Sequence, residues 1–143
     1  MSLTRILVLV LLALLAGCGG GDTRESYVAD AVEICDATTE RIKALGAPES
    51  FTDTQLYARR AKDAVSDGIG DLRELTPPPE LEDSFTRYLA TLEQRRRQLD
   101  LIAAAADRNS MLDVQKAGSG LDVLNAKARQ DARRAGIAAC EAG

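Results

Sequence analysis

The sequence predicts an all-α protein, an antiparallel up-down-up-down four-helix bundle closed by one disulfide, and three observations predict it. Beyond residue 24, four stretches place apolar side chains three and four positions apart, the spacing of one helix face. Proline, glycine and asparagine break these stretches at 46–48, 77–79 and 107–109, so the connections are short and neighbouring helices must run antiparallel. Strict alternation of apolar and polar residues is absent, and the abundance of alanine favours helix over strand. Two other arrangements satisfy the same pattern: a three-helix bundle with a broken fourth helix laid across it, or a long helical hairpin that dimerises.

The amino-terminal segment is of another kind. Met1 to Arg5 carries one positive charge, and Ile6 to Ala16 follows without a polar side chain. Eleven apolar residues span only about 16 Å as a helix, against about 30 Å for a bilayer core, so the segment reads as the hydrophobic region of an export signal. Leu15-Ala16-Gly17-Cys18 resembles the lipobox of bacterial lipoproteins, an apolar residue and two small ones before a cysteine. That resemblance implies cleavage after Gly17, a diacylglyceryl group on the Cys18 sulfur, and attachment of the mature chain to the membrane outside the cytoplasm. Two or more acyl chains give durable anchoring, where one gives little. The expected division is residues 1–17 as signal peptide, 18–23 as lipidated terminus and short glycine tether, and 24–143 as the helical domain.

In the first helix Val28, Ala31, Cys35, Thr38, Ile42 and Leu45 form the inward stripe, with Asp30, Glu33, Asp36, Glu40, Arg41 and Lys43 mostly off it. Gly46-Ala47-Pro48 ends it. The second helix is expected from Thr52, capped by that hydroxyl and stapled by Phe51, with Ala58, Ala61, Val65, Ile69, Leu72 and Leu75 inward. Gly68 and Gly70 lie within it and allow close approach or a bend. Pro77-Pro78-Pro79 makes a stiff corner, Pro79 opening the third helix.

Leu81, Phe85, Tyr88, Leu89, Leu92, Leu99, Ile102 and Ala106 line the third helix, interrupted by the basic triplet Arg95, Arg96, Arg97. The fourth starts at Ser110, which with Asp113 forms a capping pair, and buries Val114, Ala117, Leu121, Leu124, Ala128, Ala135 and Ala138. Gly118-Ser119-Gly120 can interrupt it. Gly136 suits a left-handed helix end, with Ile137 packing back.

Of the three cysteines, Cys18 is committed to lipid, which leaves Cys35 and Cys140 as an even pair in a chain sent to an oxidising compartment. A Cys35–Cys140 disulfide is expected. The alternatives are two free buried thiols or a redox pair, which ordinarily occurs as Cys-x-x-Cys. In the bundle arrangement the start of the first helix and the end of the fourth share one end, as this bond requires.

The layout as a whole resembles small alanine-rich helical lipoproteins of high-GC Gram-positive bacteria. The resemblance rests on the lipobox with its glycines, on Tyr27-Val28-Ala29 and Ile34-Cys35, on Leu75-Thr76-Pro77-Pro78-Pro79-Glu80-Leu81, and on a terminal Gly-Ile-x-x-Cys from Gly136 to Cys140. It implies a fold and a location, and carries no catalytic residue with it.

Absences narrow the function. With no histidine there is no imidazole base and no His ligand for zinc or haem, and no metal or cofactor is expected. With no tryptophan, three tyrosines and two phenylalanines, an aromatic cage is poorly supplied. The formal charge is −4 with both signs interspersed, and loss of Arg5 with the signal makes it more acidic, which argues against nucleic acid as a partner. Asp67 with Asp71, and Glu82 with Asp83, are the nearest approach to carboxylate pairs and read as solvated surface, so no enzyme activity is expected. The interaction candidate is Arg95, Arg96 and Arg97, with Lys127, Arg129, Arg133 and Arg134, as a basic face for anionic headgroups or an acidic envelope polymer. Against it stands the ordinary role of long arginines that cover apolar faces and pair with Glu93, Asp100 and Asp131. The expected role is therefore a membrane-anchored extracytoplasmic structural or interaction module, contacting another envelope protein or polymer. The alternative is a small-molecule or peptide binder using a gap between helices, suggested by Gly68, Gly70, Gly118 and the alanine-rich fourth helix.

Overall fold

The computed structural model describes residues 23–142. The expected export signal, the lipobox-like Leu15 to Cys18 and the glycines after it lie outside the described residues. The described chain forms an antiparallel four-helix bundle: α1 Arg24–Lys43, α2 Phe51–Arg73, α3 Glu82–Asp107 and α4 Met111–Arg134, with 3-10 turns at Pro79–Leu81 and Ala138–Ala142. Among the described residues no helix is long and apolar enough to cross a membrane.

Each boundary has a local cause. Thr23 caps α1 by accepting from the Ser26 N–H at 3.2 Å, and Gly46 turns the chain after it with a φ of +71°. The cap of α2 is Ser50 and not Thr52: its Oγ accepts from the Asp53 N–H at 3.1 Å, so Phe51 becomes the first helical residue. Ser110 caps α4 as expected, accepting from the Asp113 N–H at 3.4 Å. Pro79 opens a 3-10 turn before α3 begins, its ring presetting φ for that tight turn. Helix α4 runs unbroken through Gly118 and Gly120; the Gln98 side chain packs over Gly120 and donates to the Ala117 carbonyl at 2.8 Å. Gly136, at φ +76°, ends α4 with Ile137 N–H donating back to the Ala132 carbonyl at 3.0 Å, and Ile137 is wholly buried.

Helix α3 is the centre of the bundle, packed along its length on α2 and on α4. Its buried Phe85, Tyr88, Leu92, Leu99 and Ile102 meet Val65, Ile69 and Leu72 of α2 and the alanines Ala117, Ala128 and Ala132 of α4. Helix α1 is placed differently. It packs on α2 and on the carboxyl-terminal 3-10 turn, not on α4 to any extent. Thr38 of α1 lies against Gly68 of α2, so α1 stops five residues beyond this crossing while α2 continues for seventeen. At 1.5 Å per residue, α2 overshoots α1 by about 18 Å. The first helix thus covers only part of the face offered by the other three.

Two ties hold α1 to the rest of the bundle, one at Tyr27 and one at Cys35. Tyr27, missed as a core residue by the spacing argument, is almost completely buried, stacks edge-on against Phe85 at 5.5 Å and donates its hydroxyl to the Ala135 carbonyl at 3.0 Å. Cys35 and Cys140 form the expected disulfide, with Cα atoms 5.3 Å apart. Closing 105 residues of separation corresponds to about 4.7 kcal/mol on the chain-entropy account.

Candidate functional site

Where α1 runs out, a cleft remains among all four helices. Its outer part, about 220 Å³, is bounded by Thr39, Ile42 and Lys43 of α1, Tyr57, Ala61 and Val65 of α2, Arg95 and Leu99 of α3, and Leu121 and Asn125 of α4. An inner recess of about 40 Å³ continues under α1 toward Cys35, Tyr88 and Cys140. Thr39, Ile42, Val65 and Arg95 line both. Wider hollows elsewhere are grooves of another character, such as the one between α2 and α3 bordered by Arg59, Lys62, Asp63, Asp100 and Asp107. The cleft is the place where side chains of every helix converge on an apolar space.

Two polar groups in it lack partners. The Arg95 Nε is buried and makes no hydrogen bond, and among the described residues no ion pair reaches its guanidinium. The Asn125 Oδ1 is likewise buried without a donor. Burial pulls the Arg95 guanidinium below its ordinary range, against the influence of Tyr88 and with that of Arg129. It stays charged all the same, since a guanidinium does not deprotonate in proteins. Burial also pushes the Tyr88 hydroxyl up to about 12, so it is a neutral donor at the floor, 3.8 Å from the Cys35 sulfur. No aspartate or glutamate lines either part of the cleft.

The basic triplet does not act as one face. Successive helical residues point about 100° apart, and the three arginines have three different surroundings. Arg95 turns into the cleft, Arg96 donates to Glu93 at 2.8 Å beside Arg73, which reaches the same carboxylate at 2.8 Å, and Arg97 is exposed. The ion pairs with Arg96 and Arg73 hold the Glu93 carboxyl below its usual range, the Arg96 hydrogen bond contributing most. Lys127 and Arg134 are engaged with Asp131, at 2.7 and 3.9 Å, and Asp100 forms its ion pair with Lys62 of α2, at 3.0 Å. Asp67 pairs with Arg41 on the surface at 3.6 Å.

The glycines do not make the gap either. Gly68 lets α1 approach α2 at Thr38, while Gly70 and Gly118 face open space. The residues that do make it were legible in the spacing. Arg95 falls three residues after Leu92 and four before Leu99, on the inward stripe of α3, and Asn125 falls between Leu121 and Ala128 on that of α4. Thr39, four after Cys35 and three before Ile42, completes a set of polar side chains at core positions.

Among the described residues no group of three or more His, Cys, Asp or Glu side chains is placed to hold a metal ion. No protein-family model, no curated protein and no solved structure matches the chain. The fold and the cleft are therefore what bears on function: an all-α bundle, disulfide-closed, with the half-buried Arg95, its Nε fully covered, facing an apolar space.

Proposed function

We propose that this is an extracytoplasmic helical lipoprotein, anchored through Cys18, that works as a binding module using the cleft beyond the end of α1. The single observation that supports binding is the pair of unpartnered polar groups, Arg95 Nε and Asn125 Oδ1, in that cleft. Buried polar groups without partners are rare and disfavoured by a few kcal/mol. A ligand that satisfies them offsets this cost on binding. The anchor rests on the Leu15-Ala16-Gly17-Cys18 resemblance, and the disulfide suits a compartment that keeps cysteines oxidised.

Intact-mass measurement of the protein taken from membranes tests both parts. The expected species lacks residues 1–17, carries acyl mass on Cys18, and holds a noncovalent small molecule under native spray. Substitution of Leu121→Trp, which fills the cleft, should abolish that adduct. A retained leader with a free thiol at position 18 rejects the anchor; a ligand-free wild type, or an adduct unaffected by the substitution, rejects the cleft.

A second reading, a module that docks another envelope protein, draws on Leu56, Leu101, Met111 and Leu112. These are exposed at 45, 57, 57 and 75%. They lie at the start of α2, toward the end of α3 and at the start of α4, the end of the bundle away from the disulfide. Site-specific photocrosslinking from position 112 in living cells would yield one defined protein adduct under this reading, and none under the first.

A further inference from the structure

The cleft also indicates what kind of ligand it takes. Its walls at Val65, Leu99 and Leu121 are apolar, and its charged groups are Arg95 inside and Lys43 at the margin, both positive. An engineered apolar cavity of about 150 Å³ holds benzene, so about 220 Å³ admits a body somewhat larger than one aromatic ring. A guanidinium presents a planar fork of donors that fits a carboxylate with two parallel hydrogen bonds. The Asn125 amide contributes as well: its oxygen and nitrogen exchange places by a half-turn, which would aim an NH2 donor where the unpartnered Oδ1 now lies. The single guanidinium of half-buried Arg95 balances one negative charge, whereas a doubly charged phosphate monoester would bring a second into an apolar space with only the exposed Lys43 to meet it.

We propose that the cleft binds a small amphiphilic monocarboxylate, its head held by Arg95 and Asn125 and its apolar body lying against Val65, Leu99 and Leu121. This rests on the binding reading above and names the ligand class for the same site. The partner of the arginine is thus supplied from outside the chain. An intramolecular carboxylate in its place would close the site; Asp131, the buried acid of α4, is engaged with Lys127 and Thr91 instead.

The test uses the full lipidated protein in phosphatidylcholine nanodiscs, with empty nanodiscs as the background. Binding of 4-fluorobenzoate and of its neutral analogue 4-fluorobenzyl alcohol is followed by fluorine NMR, with inorganic phosphate as a competitor. The carboxylate should bind ten- to a hundredfold more tightly than the alcohol, the range expected for charged hydrogen bonds. Arg95→Gln should erase that preference and leave the alcohol's affinity in place, and Leu121→Trp should weaken both. If Arg95→Gln loses its helical circular dichroism, Arg95→Lys replaces it: charge without the fork should retain only part of the preference. Equal affinity for alcohol and carboxylate overturns the inference and leaves the binding reading standing. Displacement of the carboxylate by phosphate at similar concentration also overturns it, because a bare anion site would then suffice. Absence of binding by either probe, or binding unaltered by Leu121→Trp, overturns both.

Discussion

One turn of helix separates two buried polar clusters on the same pair of helices, and they are treated in opposite ways. At the first, Thr91 of α3 donates to the Asp131 carboxylate of α4 at 2.8 Å, and Lys127 reaches both the carboxylate, at 2.7 Å, and the Thr91 hydroxyl. Thr91 and Asp131 are almost completely buried, and every member has a partner. At the second, Arg95 lies four residues along α3 and Asn125 six residues back along α4, and both keep a buried atom unpartnered. The first cluster sits where α3 and α4 close on each other. The second sits beneath the end of α1, where no helix completes the packing. A satisfied buried network specifies the seam between two helices, and the unsatisfied one is the feature on which the proposed binding role rests.

The strongest way to break the contrast is to release α1, since α1 roofs the inner recess. The double substitution Cys35→Ser, Cys140→Ser should cost about 2–5 kcal/mol in urea denaturation, in line with a loop of this length. Amide exchange should quicken more in α1 than in α3, because α3 keeps two helical neighbours along its length and α1 keeps only α2, the short carboxyl-terminal turn and the Tyr27 contacts. A loss below about 1 kcal/mol, or uniform quickening, would show that α1 is held chiefly by its packing on α2.

The closed cluster offers a smaller effect with a pH signature. Asp131→Asn should destabilise by about 1–3 kcal/mol at neutral pH, the range for buried hydrogen bonds to a charged group. Burial raises the Asp131 carboxyl, but hydrogen bonds from Lys127 and Thr91 and the charges of Lys127 and Arg134 outweigh it and leave it below its ordinary value. A depressed carboxyl contributes stability that is present above its unfolded value, about 3.9, and is lost as pH falls through the folded value. Wild type and variant should therefore differ at pH 7, with the gap narrowing as pH falls below about 4 and closing only below the folded value. A gap that persists at lower pH would assign the effect to packing and not to charge.

How far the sequence revealed this contrast depends on the element. Four amphipathic stripes and three punctuated turns were enough for the bundle, because hydrophobic spacing follows directly from 3.6 residues per turn. The disulfide followed from cysteine number and the inferred compartment, and its geometry from antiparallel order. The cleft did not follow, because it depends on how far α1 slides along α2, which Thr38 against Gly68 fixes and no local pattern encodes. The arginines were legible as a triplet and misread as a face. Adjacency along the chain suggested a patch, whereas 100° of rotation per residue sends Arg95 to the cleft, Arg96 to Glu93 and Arg97 to solvent. Tyr27 was missed because the stripe was started one residue later, at Val28, and its tie to Ala135 is a contact between the two ends of the chain.

The smallest expected effect discriminates best, because its sign is the reverse of the others. Arg95→Met keeps the apolar stem of the side chain out to about the position of Nε and removes a charge that has no ion-pair partner among the described residues. Replacing even paired buried charges by apolar residues is often neutral or stabilising, so the urea midpoint should rise, by about 1 kcal/mol in free energy, with an unchanged slope. Thr91 and Asp131, one turn away, should respond to the equivalent loss in the opposite direction. Arg95 would then be a residue kept at the expense of stability, which is what a binding group shows when its ligand is absent. A loss of more than about 1 kcal/mol for Arg95→Met would mean that the guanidinium is part of the folded core's own hydrogen bonding, and the cleft would lose the feature that makes it a site.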